Sequence, residues 1–256
     1  MNTVTVRNTV IGDGTPKVIV PIVETTAQGI VAKGAELVSH KLDVVEWRVD
    51  FFDDVYEIPK VLEALSGLRA ALGDIPILFT FRTKKEGGEK EIDMKLYTDL
   101  NAAVAGSGNA DLVDVEIFSG DDVVRANINA IHEAGCKVVG SNHDFFGTPK
   151  KSDIIYRLRK MDDMGADILK VAVMPKNAAD VLTLLDATRE MSEDYTDKPL
   201  ITMSMSHGVI TRLVGEYFGS AMTFGAVGKV SAPGQIPVEQ LQDVLTIIHN
   251  ALPKKE

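Results

Sequence analysis

Eight short apolar runs rich in β-branched residues recur at intervals that leave room for one helix each. They are KVIVPIV from Lys17, DVVEWRV from Asp43, PILFTF from Pro76, DLVDVEIF from Asp111, CKVVGSNH from Cys136, ADILKVAVM from Ala166, LITMSM from Leu200 and AMTFGAV from Ala221. Their starts lie 26, 33, 35, 25, 30, 34 and 21 residues apart. An antiparallel neighbour needs only a tight turn, whereas a parallel one needs a crossover of about a dozen residues or more, usually a helix. The spacing therefore predicts successive βαβ units on a parallel sheet. Eight such units in 256 residues match the size of a (β/α)8 barrel, and one such domain over residues 1–256 is the expectation. The rival is an open doubly wound sheet, which commonly has fewer strands and often a glycine-rich first turn. Here the first run passes into PIVETTAQG, with no G-x-G-x-x-G.

Local signals fill in the rest. The opening VTVRNTVIGDG predicts a β-hairpin ahead of the first unit. Asp121 is the expected cap of a helix over 122–133 that Gly135 stops. Thr148 and Pro149 form a cap-then-proline helix start, and Asn177 opens a helix with apolar Val181, Leu184, Leu185 and Met191.

Charge narrows the partners. Lys and Arg number 27 against 37 Asp and Glu, a net charge of −10. Nucleic acid and anionic membrane surfaces both call for a basic footprint, so neither is an expected partner. The single cysteine, Cys136, excludes an intrachain disulfide and fits a reducing compartment. No run approaches the roughly 18 apolar residues of a membrane span. A soluble, cytoplasmic protein is the expectation.

Alternation splits each strand into two faces. Val45, Trp47 and Val49 oppose Val44, Glu46 and Arg48; Ile77, Phe79 and Phe81 oppose Leu78, Thr80 and Arg82. Val113, Val115 and Ile117 oppose Asp114 and Glu116, and Leu169, Val171 and Val173 oppose Ile168, Lys170 and Ala172. The uniformly apolar faces belong under the helices, so the mixed faces point into the lumen. That places Glu46, Arg48, Arg82, Asp114, Glu116 and Lys170 together, where a barrel is normally filled by branched apolar side chains. A structural ion-pair network is the bland alternative. Buried charge near the C-terminal ends of barrel strands reads better as an active site.

His143 ends the fifth run in SNHDFF, in phase with Val139 and Ser141, and Lys170 lies in the next run. His40, His132, His207 and His249 fall in loops or helical patterns and read as structural. A neutral lysine attacks a ketone or aldehyde to form a Schiff base, and enclosure and nearby cations favour that neutral form. A histidine beside it can move protons at the adjacent carbon. With no dinucleotide fingerprint, Walker loop or cysteine cluster, the expected chemistry needs no cofactor. VDFFDD, with Asp50, Asp53 and Asp54, lacks metal-ligand spacing and reads as a solvated acidic loop. The residues alone reach a Schiff-base lyase or aldolase.

EWRVD at 46–50, FTFRTKKEGGE at 79–89, SNHDF at 141–145, KVAVMP at 170–175, ITMSM at 201–205 and FGAVGKVSAPGQ at 224–235 together resemble the type I 3-dehydroquinate dehydratases. Those enzymes dehydrate 3-dehydroquinate to 3-dehydroshikimate, the third step of the shikimate pathway. The resemblance runs from the hairpin to the final helix. It implies that Lys170 forms the Schiff base with the substrate's C3 ketone. His143 takes a C2 proton, then assists departure of the C1 hydroxyl and imine hydrolysis. Glu86 orients His143, with Asp114 behind it. Glu46, Arg48 and Arg82 hold ring hydroxyls, and Arg212 pairs with the carboxylate. Ser231 and Gln235 close over the substrate, and Met203, Met205 and Phe224 line the pocket. Pro21 stands where some members have a substrate-contacting serine. No metal or cofactor is implied, and the expected assembly is a homodimer. A class I aldolase and a silent barrel that binds a polyol acid are the competing readings.

Overall fold

The computed structural model describes residues 2–253. A hairpin of β1 (Val4–Val6) and β2 (Thr9–Ile11) comes first. The chain then alternates: β3 (Lys17–Ile22), α1 (Ala27–Leu37), β4 (Val44–Arg48), α2 (Ile58–Leu72), β5 (Ile77–Thr80) and α3 (Met94–Gly106). It continues through β6 (Leu112–Glu116), α4 (Asp121–Glu133), β7 (Lys137–Asp144), α5 (Lys151–Asp163), β8 (Ile168–Val173) and α6 (Ala178–Glu190). Last come β9 (Leu200–Ser204), the one-turn α7 (Gly215–Phe218), β10 (Met222–Ala226), a short β11 (Ile236–Pro237) and α8 (Val238–Ala251).

Strands β3 to β9 pair in sequence order, all parallel, and β10 pairs with β3. The ring closes between β9 and β10 at a single parallel bridge, Leu200 to Ser220, where Ala221 N–H donates to Leu200 O at 2.8 Å. The (β/α)8 expectation holds. The unexpected β11 is a two-residue strand at the end of the GKVSAPGQ loop, parallel to β10. Among the described residues no helix is long and apolar enough to cross a membrane.

The two faces of each strand pack as alternation requires. Val45, Trp47, Phe79, Val113, Val115, Leu169 and Val171 join the core beneath the helices, with Leu65, Leu68, Leu100 and Leu158 from α2, α3 and α5. Ile19, Val44, Leu78, Leu112, Val139, Ile168, Ile201 and Met222 form a separate apolar cluster within the ring. Val6 and Ile11 of the hairpin join that inner cluster. Arg7 at the hairpin turn donates to Asp111 at 2.6 Å, just before β6, so the hairpin plugs the N-terminal mouth. Pro21 is buried in β3, beyond the last residue that pairs with β10, so its missing N–H leaves no gap in that ladder.

Two helix starts differ from expectation. Asp121 is the first residue of α4 rather than its cap; the preceding Gly120 has φ +102° and no side chain to cap with. Asp121 instead places negative charge at the positive end of the helix and pairs with Lys160 at 2.7 Å. Helix α5 begins at Lys151, past Thr148 and Pro149, because the Thr148 hydroxyl is committed to Met174 O at 3.2 Å. Asn177 does cap α6, accepting from Asp180 N, and Gly135 turns the chain after α4 with φ +84°.

Candidate active site

All twelve side chains expected at the site converge on one narrow cavity. Glu46, Arg48, Arg82, Glu86, His143, Lys170, Met203, Met205, Arg212, Phe224, Ser231 and Gln235 line it, with Gly87, Phe145, Ala172 and Ala232. It opens at the C-terminal ends of the strands, where loops can be shaped without disturbing the ring.

Lys170 and His143 are brought together by register. Ser141 sits opposite Lys170 and His143 opposite Ala172 on the adjacent strands β7 and β8. Lys170 is 3% exposed. Its Nζ lies 3.5 Å from Glu46 Oε1, 3.6 Å from Asp114 Oδ2 and 4.7 Å from the centre of the Phe224 ring. The sequence reading counted nearby cations as favouring the neutral amine; in the structure the charged groups within 4 Å of Nζ are the carboxylates of Glu46 and Asp114.

Glu86 reaches His143 from a turn after β5. Its Oε2 accepts from His143 N–H at 2.9 Å and lies 3.0 Å from His143 Nδ1, leaving Nε2 as the nitrogen free to meet a substrate. The turn is possible because Gly88 passes against the Arg82 carbonyl oxygen, where any Cβ would collide. Burial, reinforced by the Glu116 charge, raises the Glu86 carboxyl to about 8. Burial, then the charges of Arg82, Lys170 and Arg48, pushes the imidazole well below its ordinary value. His143 is therefore neutral, the form that can accept a proton.

Arg82 organises the lumen. Its guanidinium pairs with Asp114 at 2.7 Å and Glu116 at 2.8 Å, and lies 3.7 Å from Glu86. Asp114 also accepts from Ser141 Oγ at 2.7 Å. Burial alone would raise the Asp114 carboxyl; Arg82 and Lys170 outweigh it and hold it below the carboxylate range. Asp114 thus meets Lys170, Arg82 and Ser141 directly and reaches the Glu86–His143 pair across Arg82. Glu116 accepts from Thr83 N at 2.8 Å and Thr83 Oγ1 at 2.7 Å, pinning the start of the Glu86 turn.

Arg212 follows β9 in a 3-10 segment and is 1% exposed. Nη2 donates to Pro233 O at 3.3 Å, Nη1 approaches Met203 Sδ at 3.6 Å, and Nε has no partner. Among the described residues no carboxylate lies within ion-pair distance. Burial without an anion lowers its guanidinium to about 10. A buried guanidinium without a protein carboxylate keeps a planar fork of donors suited to a carboxylate or phosphate. The loop carrying Ser231 and Gln235 lies over the mouth. Gln235 accepts from Ser231 N at 2.9 Å and donates to Ser231 Oγ at 3.0 Å, and Ser206 N donates to Pro233 O at 3.2 Å.

Two side chains escaped the sequence reading. Asp50, assigned to a solvated acidic loop, is fully buried. It takes Arg48 Nε and Nη2 in a fork, both at 2.8 Å, and accepts from Glu89 N at 3.1 Å, tying β4 to the Glu86 turn. Alternation gave no signal for it, because β4 ends at Arg48 and Asp50 lies in the 3-10 turn that follows. Asn142 donates to Glu86 Oε1 at 2.9 Å. It carried no signal, because alternation puts it in phase with outward-facing Val138. Among the described residues no group of acids, histidines or cysteines is arranged to hold a metal. Three of the other four histidines are tied elsewhere: His132 to Asp167 at 2.7 Å, His249 to Glu216 at 2.6 Å and His40 to Glu239.

Comparison with known proteins meets the same site from outside. The family model for type I 3-dehydroquinase matches residues 18–251. The 3-dehydroquinate dehydratase of Salmonella typhimurium is 52% identical over 252 residues, 98% of this chain and all of that one. That of Clostridioides difficile is 51% identical over 250 residues, 97% of this chain and 98% of its own. A crystal structure of the type I enzyme from Clostridium difficile, with covalently modified comenic acid, superposes with a TM-score of 0.96. It is 50% identical, covering 98% of this chain and 99% of that one. With identity above half across nearly the full length, and a shared barrel, the chain belongs to the type I 3-dehydroquinase family.

Proposed function

We propose that this chain dehydrates 3-dehydroquinate to 3-dehydroshikimate through a Schiff base on Lys170. The carrying observation is a buried lysine and a neutral, carboxylate-oriented histidine facing one cavity whose Arg212 lacks an anion. The substrate carboxylate takes the Arg212 fork, and Glu46, Arg48 and Arg82 hold the ring hydroxyls. The Lys170 amine adds to the C3 ketone, and loss of water leaves an iminium. The iminium acidifies C2, from which His143 Nε2 takes a proton to give an enamine. The enamine expels the C1 hydroxyl, which leaves as water with the proton His143 carried. A second water hydrolyses the conjugated iminium and frees Lys170. The two waters of imine formation and hydrolysis cancel, so the net change is loss of one water.

Glu46 and Asp114, each within 4 Å of Nζ, stabilise the cationic iminium, while Phe224 faces it with its ring. The loop carrying Ser231 and Gln235 keeps bulk water from the imine. Every step is acid–base or covalent chemistry of side chains and substrate. The test adds 3-dehydroquinate to the purified protein without metal or cofactor and follows the conjugated enone by absorbance. Borohydride is then added during turnover, and the labelled peptide is located by mass spectrometry. Enone growth and an adduct on Lys170 are the expected results. Retro-aldol cleavage, or an adduct on Lys84, Lys176 or Lys229, would overturn the proposal.

A further inference from the structure

The Glu86 oxygen that does not touch His143 is held by a chain of contacts leading away from the lumen. Oε1 accepts from Asn142 Nδ2 at 2.9 Å, and Asn142 Oδ1 accepts from Arg157 Nη1 at 2.8 Å. Arg157, on α5, is fixed by Asp144, with both terminal nitrogens 3.2 Å from Oδ2. An amide has one donating and one accepting end, whereas a guanidinium only donates. With Arg157 on one side, the amide oxygen must face it, and only the NH2 end is left for Glu86. We propose that Arg157 and Asn142 are positioning residues: Arg157 locks the Asn142 amide so that Glu86 meets His143 as a hydrogen-bond acceptor.

The consequence lies in proton count. His143 works as a base when Nδ1 carries a proton directed at the Glu86 carboxylate and Nε2 carries a lone pair. One more proton on the pair fills that lone pair or converts Glu86 to an acid, and the base is lost. Donation from an amide N–H favours the carboxylate. A flipped amide would offer its oxygen, and only protonated Glu86 could bond to it. Burial and the charges of Glu116 and Asp114 all push Glu86 toward protonation, opposed by Arg82 and Asn142. Arg82, Lys170 and Arg48 act on the ring from the lumen side. On the opposite side Asn142 touches Glu86 and Arg157 stands behind it, and the charged Lys85, Glu116, Asp144 and Asp153 line the cleft there.

A second cavity supports the arrangement. It is an open cleft lined by Asn142, Asp144 and Arg157, and it shares Glu86 and His143 with the first. Neither Asn142 nor Arg157 lines the first cavity, so both can be altered without touching the substrate volume. The Arg157 side chain is 22% exposed, open to substitution at modest packing cost.

The proposal rests on the reading of His143 as the base in a Schiff-base dehydration, and the experiment separates the two. kcat and KM are measured across the acidic and alkaline range for the parent, Arg157→Ala, Arg157→Lys and Asn142→Asp, with borohydride trapping of each. In the parent, kcat falls as pH drops and the pair takes up its second proton. In Arg157→Ala that limb moves upward by on the order of one pH unit, with KM within about twofold and kcat above the limb restored. Asn142→Asp keeps the shape but replaces the donor by an acceptor, and moves the limb further in the same direction. Arg157→Lys, still donor-only, returns the limb toward the parent. A fall in kcat at every pH with the limb in place overturns the proposal, as does Arg157→Lys behaving no better than Arg157→Ala. If Asn142→Asp fails to fold, the two Arg157 variants decide. No Lys170 adduct in the parent overturns the Schiff-base reading, whereas adducts throughout with an unmoved limb overturn only the positioning role.

Discussion

Inside the ring, the same strands build two unlike regions. Val44 and Glu46 are successive inward positions on β4, Leu78 and Thr80 on β5, Leu112 and Asp114 on β6, and Ile168 and Lys170 on β8. The lower member of each pair joins an apolar cluster closed by Val6 and Ile11 of the hairpin. The upper member joins a cluster of buried acids and bases. The lower region is stabilised by removing apolar surface from water, about 25 cal/mol per Å². The upper region loses solvation, several kcal/mol for each ion, and recovers it only where partners are well placed. Arg82 between Asp114 and Glu116, and Arg48 in the fork of Asp50, meet that condition. Arg212 does not, and Lys170 has carboxylates beside it but makes no hydrogen bond to them. Height along the strand, not the face of the strand, therefore separates packing from chemistry. Both groups left short of partners here line the cavity.

Variants at the two heights should fail in different ways. The largest effect is expected from Lys170→Ala, which removes the covalent route and with it all measurable turnover. Its fold should survive, because neither neighbouring carboxylate loses its last partner: Glu46 keeps Thr80 Oγ1 at 3.0 Å, and Asp114 keeps Arg82 and Ser141. Cooperative thermal unfolding combined with residual turnover would break the separation. His143→Ala comes next. Imine formation needs chiefly the lysine, so borohydride should still label Lys170 while dehydration slows at least roughly 10²-fold, the lower end for losing a general base. Near-normal turnover would move the base elsewhere, with Glu86 the next candidate.

Much of this division is visible in the sequence, for a physical reason. Strand alternation is strict, so Trp47 and Glu46 cannot share a face, and the charged phase of each run had to enter the ring. What alternation cannot convey is how the chain returns after the strand ends. Asp50 looked solvated because Asp53 and Asp54 follow it, yet a 3-10 turn at Val49–Phe51 carries it back under Arg48. Asn142 sits in the outward phase, and it meets Glu86 only because the turn after β5 swings behind β7. The approach of Asp114 to Lys170 is hidden for a similar reason: register sets Asp114 opposite Val139 and Val139 opposite Ile168, so the contact is a diagonal across three strands that no single run displays. The helix starts at Asp121 and Thr148 differed where a neighbouring side chain or loop outbid the local cap preference.

A third variant sharpens the upper region. Arg212→Lys keeps the charge but replaces a fork by a point donor, so one charge-assisted hydrogen bond is lost. KM should rise roughly 10-fold with a smaller change in kcat, the scale of such a bond. Gel-free binding of a carboxylate analogue, measured by calorimetry, provides the check. Unchanged affinity would pass the carboxylate to Arg48 or Arg82, both of which already hold acids.

The smallest kinetic effect is expected at Ile168, two residues before Lys170 on β8. Ile168 is fully buried in the lower cluster, opposite Val139 of β7, and is not among the residues that line the site cavity. Ile168→Val removes one methylene and leaves a small void, a loss of about 1 kcal/mol in unfolding free energy. Packed interiors resist small changes in volume, so strain could travel along the strand. The ladder argues against it, because Lys170 is fixed by its own pairs to Ser141 and Ile201 on either side. Denaturant unfolding should show the stability loss, while kcat and KM for the folded protein stay at parent values. A change in kcat without a change in KM would mean that the apolar floor sets the position of the Lys170 amine, and the two regions would then be one machine.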